Sequence, residues 1–373
     1  MKFSCLQENL SKGLQIVTRA IPVKSSLPIL ANVLISTENG RIKLSSTNLE
    51  TAITTYIGAS IKEGGSVTVP AKLIKEFVAN LSPSTIEAHI ENDTLHITSQ
   101  KTKSKFNGNN ASDYPELPTF PEKIKTVSID PKIFNDAVSM VAFASGSDGT
   151  RPIFTGVNIT VSGNKFTMTS TDGFRLSEKT IHVEGSKDKD TKEFTTIIPA
   201  KTLLEVAKIF STSLEPIKFG LNEEENLALF KAEDTFVATR TIDGNYLDYK
   251  RIIPNGHVLK AFFSATDFLE AVRLTNIFAK EGNSTLKIRF DPKQGIIKVA
   301  SLSEEMGEHE SQLNAELEGE LLDIAFNSKY LLEFLGNVKT ERICFTTNGN
   351  VAACVLKPEE YADFLHIIMP LQI

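Results

Sequence analysis

Several absences bound this chain before anything present in it is considered. Its 373 residues hold three cysteines, Cys5, Cys344 and Cys354, with no C-x-x-C spacing. A disulfide scaffold is excluded and a reducing compartment, the cytoplasm, is expected; only Cys344 and Cys354 remain as neighbours if they fall on paired strands. The six histidines, His89, His96, His182, His257, His309 and His366, stand singly, without H-E-x-x-H or Cys/His spacing. Each is expected to be a surface or strand residue rather than a metal ligand, and no cofactor is expected. No G-x-x-x-x-G-K-[ST], G-x-G-x-x-G or G-x-S-x-G occurs, and the Gly-rich Gly146–Arg151 ends a helix rather than opening one, so no phosphate cradle is indicated. The longest apolar run, Ile29 to Ile35, is interrupted by Asn32 and is too short to span a bilayer. The opening residues lack an apolar signal core. Basic surplus is absent too: the net charge is −6, which argues against coating nucleic acid by bulk attraction while leaving room for a local basic surface.

What is present is a long repeat. Val67-Thr-Val-Pro-Ala-Lys-Leu-Ile-Lys-Glu-Phe-Val-Ala-Asn-Leu81 returns as Thr196–Phe210 and again as Ile324–Val338, at offsets of 129 and 128 residues. The apolar columns Ile74/Leu203/Leu331, Phe77/Val206/Phe334, Val78/Ala207/Leu335 and Leu81/Phe210/Val338 have i, i+3, i+4, i+7 spacing, one buried face of a helix entered from a strand. Pro70 and Pro199 suit a helix entry, and Asn327 takes their place in the third copy. Lys72, Lys201 and Lys329 fall in the first turn, each followed four residues later by Glu76, Glu205 or Glu333. Pairing across one turn contributes only about 0.2–0.5 kcal/mol. A first-turn lysine opposes the helix dipole, so three of them point to a surface that meets an anion.

The period predicts three domains, 1–125, 126–255 and 256–373, each with the order helix, strands, helix, strands. In the first, a helix at Glu8–Thr18 precedes strands at Ile29–Ser36, Ile42–Ser46, Thr51–Ile57 and Ser66–Val69, the repeated helix, then Thr85–Ile90, Leu95–Ser99 and Lys103–Asn107. Phe134, Val138 and Val141, then Phe268, Val272 and Thr275, reproduce the spacing of Leu10, Leu14 and Val17. Thr171-Asp172-Gly173 is expected to be a turn capped by the Asp172 side chain, with Asn48 doing the same work in the first repeat. An enzyme using Thr171, Asp172 or Arg175 lacks a partner base.

Three similar domains joined by short linkers can form an arc, and two arcs meeting head to tail close a ring. Lys101, Lys103 and Lys105 alternate along a late strand of the first domain, and Glu304, Glu305, Glu308 and Glu310 crowd what reads as a loop of the third. These are expected to be complementary ends of a dimer interface, with Phe106, Ile277 and Phe278 as its apolar centre.

Ser26-Leu-Pro-Ile-Leu30, Val69-Pro-Ala-Lys72, Asp113-Tyr-Pro-Glu-Leu117, Ser170-Thr-Asp-Gly-Phe-Arg-Leu176, Ile198-Pro-Ala-Lys201, Asp248-Tyr-Lys-Arg-Ile-Ile-Pro254, Phe326-Asn327 with Tyr330, and Ile368-Met-Pro370 occur in that order. With them the whole chain resembles the bacterial DNA polymerase sliding clamp family, the β processivity subunits. The resemblance implies an α+β DNA clamp fold of three tandem domains in a head-to-tail homodimer, helices lining a central hole and antiparallel sheets outside. It implies sequence-independent, topological binding of double-stranded DNA and no catalysis. The replicative DNA polymerase, the clamp loader, and repair and translesion proteins are the implied partners, with no membrane. The runner-up is a three-domain peptide-binding scaffold that does not encircle DNA.

By the same resemblance Lys24, Lys72, Arg151 and Lys201 match DNA-facing positions; Lys329 is added from the repeat. A pocket for short peptide motifs is implied at Phe154, Thr171, Gly173, Phe174, Arg175, Leu176, Leu247, Arg251, Ile252, Asn327, Tyr330, Val351, Ala353, Ile367, Ile368, Met369, Pro370 and Leu371. Phe174, Leu247 and Gln372 stand where the family usually has His, Pro and Arg, leaving a more apolar and less basic pocket.

Overall fold

The computed structural model describes residues 1–22, 24, 27–121, 123–183, 193–280, 284–303 and 307–372. Six α-helices occur among them: α1 (Gln7–Val17), α2 (Ala71–Ala79), α3 (Pro131–Ala142), α4 (Ala200–Phe210), α5 (Ala265–Ala279) and α6 (Ser328–Asn337). They are the two helices of each repeat, and α2, α4 and α6 are the recurring segment. Only the third copy begins with a side-chain cap, the Asn327 Oδ1 accepting the Lys329 N–H at 2.9 Å. At the other end Asn80 and Asn337, equivalent in the repeat, each donate from Nδ2 to the carbonyl four residues back at 2.8 Å.

The chain divides into two compact units, one containing Met1–Lys132 and Glu205–Thr241, the other Ile133–Val183, 193–204 and Ile242 onward. The division cuts through the middle repeat because that repeat donates a half-sheet to each unit. In the first unit, Thr126–Ile129, Ile217–Asn222, Leu227–Ala232 and Thr235–Arg240 continue through Thr51–Ile57 into Arg41–Thr47, Asn32–Glu38 and Ser66–Pro70, forming one antiparallel sheet of eight strands. Thr–Thr hydroxyl pairs seal the junction, Thr51 with Thr239 at 3.1 Å and Thr55 with Thr235 at 2.8 Å. A separate five-stranded sheet runs Ser60–Glu63, Lys2–Leu6, Thr85–Glu91, Thr94–Ser99, Thr102–Asn107. Leu10, Leu14 and Val17 of α1 and Ile74 and Val78 of α2 are buried in this unit with Leu44, Ile53 and Val67. The segment from Tyr114 to Pro121, which holds Pro115, Pro118 and Pro121, also packs: Phe120 meets Phe236 edge-on at 5.6 Å, and the Tyr114 hydroxyl donates to the Asn32 carbonyl and accepts from the Thr47 N–H. Burial pushes the Tyr114 phenol up to about 12.

In the second unit twelve strands form one sheet, in which Arg175–His182 pairs with Phe364–Ile368 and so joins the middle repeat's strands to those of the third. Phe268, Val272, Leu331 and Phe334 of α5 and α6 bury against Ile288, Phe290, Ile297, Phe345 and Phe364.

Two expectations need correction. The stretch read as a Glu-rich loop is, from Gly307 to Gly319, a strand of 13 residues. Glu308, Glu310, Gln312, Asn314, Glu316 and Glu318 alternate with His309, Ser311, Leu313, Ala315 and Leu317, a period of two obscured by its polarity. Glu304 and Glu305 lie outside the described residues. Cys344 and Cys354 do stand on paired strands but out of register, since Thr347 faces Cys354 and Cys344 faces Lys357. All three thiols are free. Sequence reading also missed the short strand Ser60–Glu63, which has a single apolar residue.

Candidate functional site

The turn after Lys165–Thr171 organises the candidate cleft. The Asp172 Oδ1 accepts the Phe174 and Arg175 N–H groups at 2.9 and 3.0 Å, and Thr171 Oγ1 accepts from Gly173 N–H at 3.0 Å. The first repeat builds the same turn: Asn48 Oδ1 takes the N–H groups of Glu50 and Thr51 at 3.0 and 2.7 Å, and Thr47 Oγ1 that of Leu49 at 3.0 Å. The third turn residue is left-handed in both, Leu49 at φ 74° and Gly173 at φ 95°. Asp172 caps the turn as expected. Both its oxygens are engaged, because Arg175 Nε donates to Oδ2 at 3.1 Å.

Arg175 is only 6 % exposed and holds the site together. Its guanidinium donates to the Phe143 carbonyl at 2.9 Å, lies 4.6 Å from the Tyr330 ring centre and makes an ionic contact from Nη1 to Glu333 of α6. That Nη1 contact lacks hydrogen-bond alignment. Behind it His366 is fully buried, its Nδ1 2.7 Å from Ser177 Oγ and its ring stacked on Phe334 at 4.9 Å. Burial, reinforced by the Arg175 charge, holds this imidazole well below its ordinary range, hence neutral.

In front of Arg175 opens a cleft of about 550 Å³, bordered by Phe154, Phe174, Tyr330, Lys329, Arg151 and Asp148. Beside it a small apolar cluster of Leu176, Tyr249, Val355 and Ile367 carries the half-buried Leu247 and Ala353. The C-terminal segment is locked to the same turn: Arg175 pairs with Ile368 and Leu176 with Ile367, Met369 N–H donates to the Phe174 carbonyl at 2.8 Å, and Leu371 N–H to that of Ala325 at 2.8 Å. Pro370 is half-buried between those two bonds.

The pocket residues named from sequence therefore sort by exposure. Thr171, Arg175, Leu176, Ile367 and Ile368 are buried and form structure beneath a surface, whereas Phe174 (56 %), Ile252 (45 %), Val351 (61 %) and Met369 (38 %) are open apolar side chains. Arg251 is exposed and paired with Asp248 at 2.7 Å. Asn327 caps α6. Asp148, Phe143 and Glu333 carry no sequence signal that marks them as pocket residues; Glu333 reads from sequence only as the helix partner of Lys329, and its contact with Arg175 brings together α6 and a strand remote in sequence.

Of the basic residues, Lys24, Lys72 and Lys201 are exposed and have no ion-pair partner among the described residues. Lys329 is exposed and 3.8 Å from Glu333, so pairing across the turn occurs in the third copy. In the second copy Glu205 turns instead to Arg19 and Lys208. Arg151 lies 5.2 Å from the Phe154 ring centre, at the cleft edge with Lys329.

Lys103 and Lys105 are exposed on the edge strand Thr102–Asn107, which has a neighbour on one side only. Phe106 does not offer an apolar centre for an interface: it is 3 % exposed and packs edge-on against Phe77 at 5.2 Å. Alternation along a strand sends it to the face opposite the two lysines. Ile277 is 63 % exposed, and Phe278 is half-buried against the His309 ring at 5.3 Å. The histidines are also less scattered than their spacing suggests, since His89 and His96 stack at 4.6 Å.

Three family models match in series: the N-terminal domain of the DNA polymerase III beta subunit at residues 1–118, its central domain at 128–248 and its C-terminal domain at 250–372. The chain is 28 % identical over 378 residues to the beta sliding clamp of Synechococcus elongatus and 27 % identical over 383 residues to that of Bacillus subtilis, covering all of each. The solved DNA polymerase sliding clamp of Bacillus subtilis superposes with a TM-score of 0.93 at 26 % identity, over 100 % of this chain and 99 % of that one. With the same three domains in the same order and the match running the full length, the chain belongs to the DNA polymerase III beta subunit family, the bacterial sliding clamps.

Proposed function

We infer that this chain acts as a DNA sliding clamp, a non-catalytic tether that keeps a DNA polymerase on its template, and that two copies close head to tail into a ring around duplex DNA. The domains would be 1–125, 126–255 and 256–373. The observation that carries the DNA-facing assignment is the column of first-turn lysines, Lys72, Lys201 and Lys329, all exposed in a chain of net charge −6. Such lysines, with Lys24 and Arg151, meet phosphates without reading bases, so the protein slides; an acidic remainder keeps duplex off other surfaces. Processivity then rests on topology rather than affinity.

The edge strand carrying Lys103 and Lys105 would meet the acidic strand beginning at Gly307 of a second copy, with Ile277 at the contact. The cleft and its exposed apolar side chains would take the short motifs of polymerases, a clamp loader and repair proteins, anchoring aliphatic or aromatic groups beside Phe174, Val351 and Met369. No helix among the described residues is long and apolar enough to cross a membrane, and the cytoplasm is the proposed setting.

The test is retention on nicked circular DNA, loaded with a clamp loader and ATP, before and after one cut that linearises the circle. A ring stays on circles and runs off ends. Retention unchanged by cutting would mean binding by contact, and the peptide-binding scaffold would become the better account.

A further inference from the structure

We propose that His89, His96 and Glu91, on the exposed face of the five-stranded sheet, form a binding site for a late first-row divalent cation such as Zn²⁺. The hairpin that brings them together turns at Asn92 and Asp93, whose φ values of 47° and 57° make the two-residue turn that matches strand twist. Its register sets His89 directly opposite His96, with Glu91 two residues along on the same face. The imidazoles stack at 4.6 Å with 18° between planes, the His96 Nε2 lies 3.8 Å from a Glu91 oxygen, and one donor atom from each of the three residues falls within 4.8 Å of the others. Tetrahedral zinc with ligands at about 2.0–2.1 Å sets its donors about 3.3 Å apart, so closure takes rotation of the exposed His89 and Glu91 side chains toward the half-buried His96, whose side chain is 17 % exposed. Two imidazoles and a carboxylate suit zinc, copper or nickel far better than magnesium or calcium.

The surrounding charges oppose one another. Lys2 stands in register beside His89 and Lys105 beside His96, while Glu87 lies two residues before His89 on the same face. All three are exposed in the single chain; the long Lys2 stem can turn away from a bound cation, and Lys105 would be drawn to the acidic strand of a second copy. None of these residues belongs to the peptide cleft.

The experiment is isothermal titration calorimetry of the full-length, chelator-treated, tag-free protein with Zn²⁺ alone at pH 7.5. One ion per chain with micromolar affinity is expected, weakened at least about ten-fold in His89→Ala and in His96→Tyr, the second retaining a strand-forming ring. Glu91→Gln is expected to weaken it less. Electron paramagnetic resonance with Cu²⁺ substituted is expected to show two imidazole nitrogens. Wild-type binding no tighter than millimolar, or binding unchanged in a His89→Ala/His96→Tyr double variant with wild-type circular dichroism, would overturn the proposal.

Discussion

Arg175 shows how one buried side chain couples the cleft to the fold. It neutralises Asp172 from one side and Glu333 from another while lying over two aromatic rings. Replacing it by methionine keeps most of the stem but takes from Asp172 and Glu333 the cation they share, with Asp172 only 15 % exposed. The expected loss is about 3 kcal/mol, read from the denaturant midpoint; a change under about 1 kcal/mol would mean the pairs are too well solvated to matter. His366 makes a pH prediction. Its folded-state affinity for protons is depressed, so the unfolded chain binds more protons once the pH falls below the ordinary imidazole value of 6.5. This contribution is whole above that value and is lost as the pH falls from there toward the depressed one. The slope is at most about 1.4 kcal/mol per pH unit. Urea unfolding at pH 7.5 and 5.5 should show a smaller difference in His366→Phe than in the unaltered protein.

At the scale of an element, the repeated turn offers an internal control. Leu49 takes at φ 74° the place that Gly173 takes at φ 95°, with the same hydrogen bonds on either side. A left-handed leucine is strained by roughly 1–2 kcal/mol, partly offset by the greater unfolded-state entropy of glycine. Leu49→Gly is therefore expected to stabilise the first unit by about 0.5 kcal/mol, and Gly173→Ala to destabilise the second by about 1 kcal/mol. Paired denaturation curves check both, and a destabilising Leu49→Gly would show that the half-exposed leucine side chain does more than fill the turn. The edge strand gives a second element-scale expectation: Lys103→Glu with Lys105→Glu should shift sedimentation toward monomer while circular dichroism stays unchanged, because both side chains are exposed and Phe106, which holds the strand down, is untouched.

For the whole molecule, the proposed function separates topology from contact. Lys72→Glu with Lys201→Glu is expected to lower loading on circular DNA several-fold with the dimer intact; loss of dimerisation instead would place those lysines on another surface. Protein already loaded on closed circles should survive a salt increase that strips a contact-bound protein, since each phosphate contact adds close to one power of salt dependence.

The sequence by itself determined the repeat, the helices and the turn. Apolar columns at helical spacing mark α2, α4 and α6 in three copies, and Asn48 and Asp172 betray their caps because a side chain bonding two residues on is a local interaction. With the ordered motifs, that was enough for the family and the basic column. Tertiary structure alone decided what depends on strands far apart in the chain. The middle repeat shares its sheets with both neighbours, Arg175 reaches Glu333, Phe106 turns inward and Cys344 misses Cys354, because strand register is set by pairing partners that no single segment specifies. His89 and His96 lie between these cases: the pairing around Asn92 and Asp93 is readable from sequence, yet their stacked rings and the nearby Glu91 carboxylate emerge only when the hairpin is built.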